Sequence, residues 1–575
     1  MKYHLVQLGC QMNLTDGERI GAVLQAMGYE YTDSEGDAEL LGVVACSVRQ
    51  KAIDRVYSKI SRWNKWKSQK NLLTFVSGCI LPSDREKFLA RFDLLFSINE
   101  LPQLPFMISQ YGVPTPSAMN PGSTEGASKL AHSLAAFPSL AVEGASGNGG
   151  MPVALRTTTL QQLGLEPETI GPSRPVGPLW LRDSDGPVLN PAEVDEAKIP
   201  DRRKEELRER RRSALRTITL MKDELTKHGG ASKAALTVLS PGSGERRDPM
   251  GGFWNIEPSY RSHYEAFIPI QNGCDKFCSF CAVPYTRGRE VSRPSEDILA
   301  EVERLVARGY ATITLLGQNV NSYGLDRKGA ELSFAGLLEK VAEIIEASGR
   351  RVWVYFTSPH PKDMGIDVLE TMASHASLAK QVHLPIQSGD DKLLFRMNRN
   401  YGMERYKTVV DHIRQILPAH TTLFTDIIVG FSGETREQFA NTKAAMLDFG
   451  YQMAFIAAYS PRPGAASSRW EDDIELEEKK LRLQELTDVL HQTSLAYNKT
   501  MIGVTMPLLV DMADPKGKFV QTRNEGRIQV RVPLPEGVDA QKLVGTFVDA
   551  RIESVRPLSM EARLVSDPRP SATRS

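Results

Sequence analysis

The chain has 575 residues, 41% of them hydrophobic and 24% charged, with 70 basic and 70 acidic side chains and a formal net charge of zero. That length buries several cores, roughly three to five domains, and zero net charge excludes a global field for nucleic acid, so an RNA-binding surface has to be a local patch. Six cysteines exclude a secreted disulfide scaffold at this size, and no run approaches the roughly 20 apolar residues of a membrane span, so the expectation is a cytoplasmic chain without membrane association.

The first hundred residues repeat one pattern three times. Residues 2–8 read as a strand, followed by Gly9-Cys10 and a helix with Ile20, Val23, Leu24 and Met27 on one face. Residues 40–44 read as a second strand ending at Ala45-Cys46. Its following helix has Ser47 and Gln50 spaced as a capping box and Ile53, Val56, Tyr57 and Ile60 on one face. Residues 72–76 read as a third strand, ending at Gly78-Cys79. Strands alternating with helices predict an open parallel α/β domain over 1–108. All three cysteines then fall on the edge where such sheets bind ligands, against the alternative of three small core residues.

Between 109 and 252 the composition turns to Gly, Pro, Ser and Ala, which predicts a flexible low-complexity insertion. Its charged run at 201–212 interleaves acids with bases and reads as a solvated helix more readily than an RNA-contacting arm. From 253 to 498, apolar strands at 312–316, 352–356, 382–384, 424–429 and 454–459 alternate with amphipathic helices, one of them placing Ile298, Val302, Leu305 and Val306 together after Pro294. That is the pattern of a full or partial α/β barrel. Residues 501–565 carry short β runs at 504–510, 527–532 and 546–553, a small β-barrel. Lys516, Lys518, Arg523, Arg527 and Arg531 lie near Phe519 there, a basic surface with a stacking aromatic that fits RNA. Residues 566–575 read as a frayed tail.

The cysteines carry the chemistry. Cys274, Cys278 and Cys281 form a C-x3-C-x2-C run, and Cys10, Cys46 and Cys79 form a dispersed second triad, with none left over. Thiolates select soft metals and iron–sulfur clusters. A structural zinc would want four ligands, and no histidine lies within ten residues on either side of the tight triad. Three thiolates are one short of a four-iron cluster, so each triad is suited to a cluster with one open iron.

Through Phe280, the tight triad resembles the C-x3-C-x-aromatic-C motif of the radical S-adenosylmethionine superfamily. The resemblance implies a 4Fe–4S cluster on Cys274, Cys278 and Cys281. It also implies S-adenosylmethionine on the open iron as the source of a 5′-deoxyadenosyl radical, and Phe280 near the adenine. Gly9-Cys10-Gln11-Met12-Asn13, Cys46-Ser47-Val48-Arg49, 283–294, 316–324, His383-Leu384-Pro385-Ile386-Gln387-Ser388-Gly389 and Asp426-Ile427-Ile428-Val429-Gly430-Phe431 resemble the methylthiotransferases within that superfamily. That family has an N-terminal three-cysteine domain, a radical barrel and a C-terminal RNA-binding TRAM barrel.

The closest resemblance, through Tyr285-Thr286-Arg287-Gly288-Arg289-Glu290, is to the MiaB type, which makes 2-methylthio-N6-dimethylallyladenosine at position 37 of tRNA. The alternatives are a relative acting on threonylcarbamoyl-adenosine in tRNA, one acting on a small-subunit ribosomal protein, and a non-enzymatic iron–sulfur RNA-binding or redox-sensing protein. Carbon 2 of adenine carries a C–H bond that no side-chain base ionises near neutral pH. This explains why the family joins a radical source to a second 4Fe–4S cluster, on Cys10, Cys46 and Cys79, that delivers sulfur. A tRNA substrate, a reducing electron donor and a sulfur donor follow as partners; the oligomeric state is open, with a monomer expected.

The resemblance also nominates contacts. Gly317, Gln318 and Asn319 end a barrel strand where the superfamily binds the methionine amino group; Gln387 and Ser388, and the turn from Gly430 to Glu434, sit on later strand ends. Each is equally a residue that shapes a turn. Arg287, Arg289 and Arg293 are candidates for phosphate or base contact, or solvated surface. Two departures stand out: the long gap from Cys79 to Cys274, and Val44-Ala45 where the family often has Asn-Thr before the second cysteine.

Overall fold

A computed structural model describes residues 1–46, 50–67, 69–110, 250 and 252–565. The expected insertion (apart from its ends), its charged run, the capping box built on Ser47 and the tail lie outside the described residues.

Five parallel strands, β1 (Lys2–Gln7), β2 (Glu30–Tyr31), β3 (Leu40–Cys46), β4 (Leu73–Cys79) and β5 (Leu94–Leu95), form the first sheet in the order β2-β1-β3-β4-β5. Every residue of β3 is buried, because helices cover both faces. Leu40 and Val44 face α1 (Gln11–Ala26), against Ile20, Val23 and Leu24. Leu41, Val43 and Ala45 face α2 (Gln50–Trp66), against Val56, Ile60 and Trp63. Gly42 leaves the space that Phe75 fills; a Cβ there would lie 2.1 Å from its ring. The short edge strands β2 and β5 have too few residues to show a period. Met250, Phe253, Trp254 and Ile256 pack into the α1 side of this core, so the chain returns to the first sheet before entering the barrel.

The barrel is partial. Strands β6 (Glu265–Pro269), β9 (Thr312–Leu316) and β10 (Trp353–Phe356) form one parallel sheet, and β11 (Gln381–His383), β12 (Thr422–Val429) and β13 (Met453–Ala458) another. A parallel bridge between Val354 and Leu378 joins them. A two-stranded ribbon of β7 (Gln271–Asn272) and β8 (Val291–Ser292) brackets the tight cysteine triad. The helix after Pro294 spans Ser295–Ala307 and buries Ile298, Val302, Leu305 and Val306. Strand β6, which the sequence pattern did not single out, has only three of its five residues buried.

Strands β14 (Thr505–Ala513), β15 (Phe519–Arg523), β16 (Gln529–Pro533), β17 (Phe547–Arg556) and β18 (Ser559–Leu564) close a small barrel. The turn between β15 and β16 is set into the N-terminal ends of the large barrel's strands. Thr422 donates to the Gly526 carbonyl at 2.9 Å, Lys380 N–H to Glu525 at 2.8 Å and Tyr355 to the Glu525 carbonyl at 3.0 Å. The small barrel therefore stops the bottom of the large one, opposite the end where ligand-binding loops collect.

Candidate iron–sulfur site between two domains

The dispersed triad converges because strand register brings it together. Cys46 and Cys79 are the last residues of neighbouring strands and lie opposite each other. Cys10 is the N-cap of α1. Asn13, one turn into that helix, ties the three strand ends: its amide oxygen accepts from Cys10 Sγ at 3.4 Å and faces Cys79 Sγ at 4.0 Å, and its Nδ2 donates to the Ala45 carbonyl at 2.8 Å. Gly9 and Gly78 both have positive φ. A Cβ at Gly9 would lie 2.7 Å from Cys46 Cβ, and one at Gly78 2.5 Å from the Ala45 carbonyl, so only glycine brings the backbone this close. Ala45 and Val44, at the departure from the family pattern, are both buried beside Cys46, and the Ala45 carbonyl is the acceptor for Asn13.

The tight triad lies between β7 and the helix α3 that follows it, here Val283–Arg287. Its loop is pinned by Ser279, whose N–H and Oγ donate to the Met397 and Arg396 carbonyls at 3.0 and 2.9 Å and whose carbonyl accepts from Ser467 N–H at 2.8 Å. Phe277 takes a left-handed φ of 49°, with its carbonyl accepting from Asn398 at 2.9 Å. No disulfide links any of the six cysteines. Burial pushes the thiols of Cys79 and Cys281 up to about 12, against the pull of Arg287 and Arg399, and that of Cys274 to about 11, so they ionise near neutral pH with a metal beside them.

Both triads have a positive charge at hand. Arg399 Nη1 donates to Cys278 Sγ at 3.4 Å, and Arg287 Nε to Cys79 Sγ at 2.9 Å. Among the described residues no three His, Cys, Asp or Glu side chains are gathered to hold a single metal ion; a cluster, which takes each thiolate on a different iron, does not require that. The donor set thus fits iron–sulfur clusters: three soft ligands in each triad, of which Cys46, Cys79, Cys274 and Cys278 are buried, Cys281 half-buried and Cys10 exposed, with a guanidinium on one sulfur of each triad.

The two triads sit on edges that face each other. Arg287 crosses from the tight-triad loop to Cys79 and Asp16. Arg462, on the loop after β13, feels the charges of Cys46 and Asp54 against the pull of burial, and Gly464 on the same loop approaches Leu81.

Of the nominated cofactor residues, Phe280 packs edge-on to Phe431 with centroids 6.4 Å apart. Gly317 follows β9 beside Gln271, and Gln318 Oε1 is buried without a hydrogen-bond partner. Asn319 donates to Asp363 at 3.0 Å and accepts from His360 N–H at 3.1 Å. Gln387, at a φ of 67°, is fixed by backbone bonds to Asp426 and Ile428. Ser388 Oγ lies 3.3 Å from Thr442 Oγ1. Glu434 accepts from Gly430 N–H at 2.5 Å and from Arg482 at 2.7 Å. Ser388, Gly430 and Glu434 are therefore engaged in shaping their turns.

The arginine and lysine nominations divide. Arg289 is exposed, paired with Asp275 at 2.7 Å and over the exposed Phe277 ring at 5.7 Å. Arg293 differs from its expectation: it is buried against Glu301 at 2.5 Å and over Trp254. Arg287 is buried as well. Arg523 and Arg527 also differ, because their guanidiniums are turned into the large barrel, Arg523 onto Glu265 at 2.7 Å and Arg527 onto Thr314 at 2.7 Å and the Tyr355 ring at 3.9 Å. Lys516 and Lys518 remain exposed, and Arg531 stacks on Phe519 at 3.9 Å.

Asn13, Asp16, His360, Arg399 and Arg462 carry site geometry that the sequence pattern did not flag. His360 is buried, accepts at Nδ1 from Lys362 N–H at 3.3 Å and leaves Nε2 without a partner. Burial, reinforced by Arg399, Lys276 and Lys362, pulls its pKa down to about 2, so the ring is neutral and its proton is on Nε2. Asn13 stands inside the Gly9 to Asn13 motif, the one signal that pointed to it; buried arginines give none.

Comparison with known proteins adds sequence kinship. The Radical SAM superfamily matches residues 268–445, and Uncharacterized protein family UPF0004 matches residues 2–97. A Carboxydothermus hydrogenoformans protein named tRNA-2-methylthio-N(6)-dimethylallyladenosine synthase is 30% identical over 570 residues, 98% of this chain and 99% of that protein. A protein of the same name from Treponema pallidum is 38% identical over 327 residues, 56% of this chain and 70% of its own length. One from Hydrogenovibrio crunogenus is 28% identical over 566 residues, 97% and 93% of the two chains.

Proposed function

The chain belongs to the tRNA-2-methylthio-N(6)-dimethylallyladenosine synthase family, and from that premise we propose that it adds a methylthio group to carbon 2 of N6-dimethylallyladenosine at position 37 of tRNA. It is a transferase of the radical S-adenosylmethionine class, and its cofactors are 4Fe–4S clusters and S-adenosylmethionine. Cys274, Cys278 and Cys281 hold the radical cluster in this reading, and Cys10, Cys46 and Cys79 the second. When bound, these groups supply a carbon radical, sulfur and a methyl group, chemistry that no side chain of the protein offers.

The protein's own part is positioning and exclusion of water. Two buried polar atoms without partners, Gln318 Oε1 and His360 Nε2, supply an acceptor and a donor at the strand ends where S-adenosylmethionine is expected. Phe280 offers the adenine an apolar wall shared with Phe431. The exposed rings of Phe277 and Tyr285, with Arg289 beside them, suit an unstacked base and its phosphate. Lys516, Lys518, Phe519 and Arg531 suit the tRNA backbone farther off. The electron and the sulfur come from a reducing donor and a sulfur donor outside the chain, and tRNA places the work in the cytoplasm. Among the described residues no helix is long and apolar enough to cross a membrane.

The observation that carries this reading is the pair of complete cysteine triads on facing edges, each with a guanidinium on one sulfur. Mass spectrometry of tRNA nucleosides from cells with and without the gene tests it. Loss of 2-methylthio-N6-dimethylallyladenosine with build-up of the unthiolated base is expected; an unchanged nucleoside profile in cells with no second synthase would refute it.

A further inference from the structure

Arg287 is carried by the radical domain just after Cys281, yet its guanidinium ends in the first domain. Nε donates to Cys79 Sγ at 2.9 Å, Nη2 to Asp16 Oδ2 at 2.5 Å, and Nη1 to Asn272 Oδ1 at 3.0 Å. Its side chain is 4% exposed and that of Asp16 1%. Three acceptors in three directions fix the plane of the fork, which a lysine ammonium would not reproduce. Asp16, whose Oδ1 has no hydrogen-bond partner, pairs with this cation and feels the charge of Arg19.

We infer that Arg287 is a positioning residue that fastens the Cys10/Cys46/Cys79 edge to the loop bearing the radical triad and tunes the cluster held on that edge through its N–H···Sγ bond to Cys79. The inference rests on the proposed reading that this triad holds a cluster. An N–H donor at 2.9 Å suits a thiolate sulfur better than a protonated thiol, since a thiolate is the stronger acceptor. Hydrogen bonds to cluster sulfurs stabilise the reduced, more negative state and raise the reduction potential. The same residue fixes distance, because Asn272 on β7 and Asp16 on α1 are otherwise parts of separate domains. A role in contacting RNA phosphate is a poor fit, as the guanidinium has almost no surface to present.

The test uses the full-length chain reconstituted anaerobically, with Arg287→Met and Arg287→Lys beside the parent. Iron per chain, the electron paramagnetic resonance of the reduced protein and a potentiometric titration are read, with added S-adenosylmethionine marking the radical cluster's signal. Both clusters should be retained. In Arg287→Met the signal of the other cluster should change and its midpoint potential should move negative, with a smaller move in Arg287→Lys. The radical cluster's response to S-adenosylmethionine should persist. A fully loaded Arg287→Met whose second signal and potential match the parent would overturn the inference, as would lost tRNA affinity with unchanged spectra. If Arg287→Met does not take up the second cluster, Asp16→Asn decides, because it keeps the arginine and loosens its tether: a potential shifted in either direction supports the coupling, and a parent-like one overturns it. A parent chain holding only one cluster's worth of iron would overturn the premise itself, and the iron count shows that before any variant is compared.

Discussion

Glu301 holds the first domain against the barrel, and removing its charge should loosen that joint. It is 1% exposed and serves two buried cations at once, Arg293 at 2.5 Å and Arg19 at 3.7 Å, while Tyr260 donates to its other oxygen. Arg19 is fully buried, and none of its guanidinium nitrogens has a hydrogen bond; it has Glu301 and the face of Phe253 at 5.2 Å. Burial alone would push the Glu301 carboxyl up, but the charges of Arg293 and Arg19 and the bond from Tyr260 outweigh it and hold the group below the ordinary glutamate range.

Glu301→Gln keeps the volume and leaves two desolvated guanidiniums without their anion. Breaking a buried pair costs about 3–5 kcal/mol, and with one carboxylate shared by two cations we expect the upper part of that range. At a urea slope of about 2 kcal/mol per molar, the midpoint for separation of the first domain should fall by about 2 M, followed by fluorescence of Trp254, which lies under Arg293. The double variant Arg19→Met/Glu301→Gln should recover part of the loss, because it removes one stranded charge. A single-variant shift under about 0.5 M, or a double variant that loses the sum of the two singles, would refute the argument that this network carries the joint.

Glu18 gives the opposite pH response: burial pushes its carboxyl up to about 7, so its contribution to stability is full below about 4.5 and is lost as pH rises through 7. Glu18→Gln should therefore raise the urea midpoint at pH 8, by at most about 3 kcal/mol in stability, and change little at pH 4. Arg531→Ala should lower the salt dependence of tRNA binding by about one phosphate, whereas Arg527→Ala should leave that slope unchanged and loosen the contact between the two barrels by about 1–3 kcal/mol; filter binding across a salt series and chemical denaturation separate them. Gly430→Ala should cost about 2 kcal/mol or more in a denaturation series, since its φ is 66° and the new Cβ would sit 2.4 Å from Lys479 Cγ.

The strand-end cysteines were legible in the sequence because register does the work: Cys46 and Cys79 close neighbouring strands whose apolar runs announce themselves, and parallel pairing puts both at one edge. The barrel strands at 312–316 and 424–429 and the face of Ile298, Val302, Leu305 and Val306 were legible for the same reason. Strands β15 and β18 were not, because closing a small barrel alternates inside and outside residues over only five or six positions. The arginines misled most. Arg287, Arg293, Arg523 and Arg527 have the composition of an RNA-facing surface, and each is turned inward by an acid or aromatic: Asp16, Glu265 and Tyr355, distant in sequence from Arg287, Arg523 and Arg527, and Glu301, on the helix that follows Arg293. Local patterns carry no information about a partner distant in sequence.

That inward turn has a consequence for how the site is held. Apolar burial is non-directional and would let the first domain slide on the barrel at little cost, whereas a guanidinium fork bonded to acceptors on both bodies has one low-energy placement. The joint has one such fork, Arg287 onto Asp16 and Cys79 on one side and Asn272 on the other, and beside it an ion pair across the joint from Arg19 to Glu301, which Arg293 also holds, and α1 buries Asn13, Asp16, Glu18 and Arg19 to make it. A helix with that many buried polar residues is a poor stabiliser of its own domain. It is a good means of fixing one triad against the other, and in a reaction that joins a radical source to a sulfur carrier that fixed placement is what the fold has to provide.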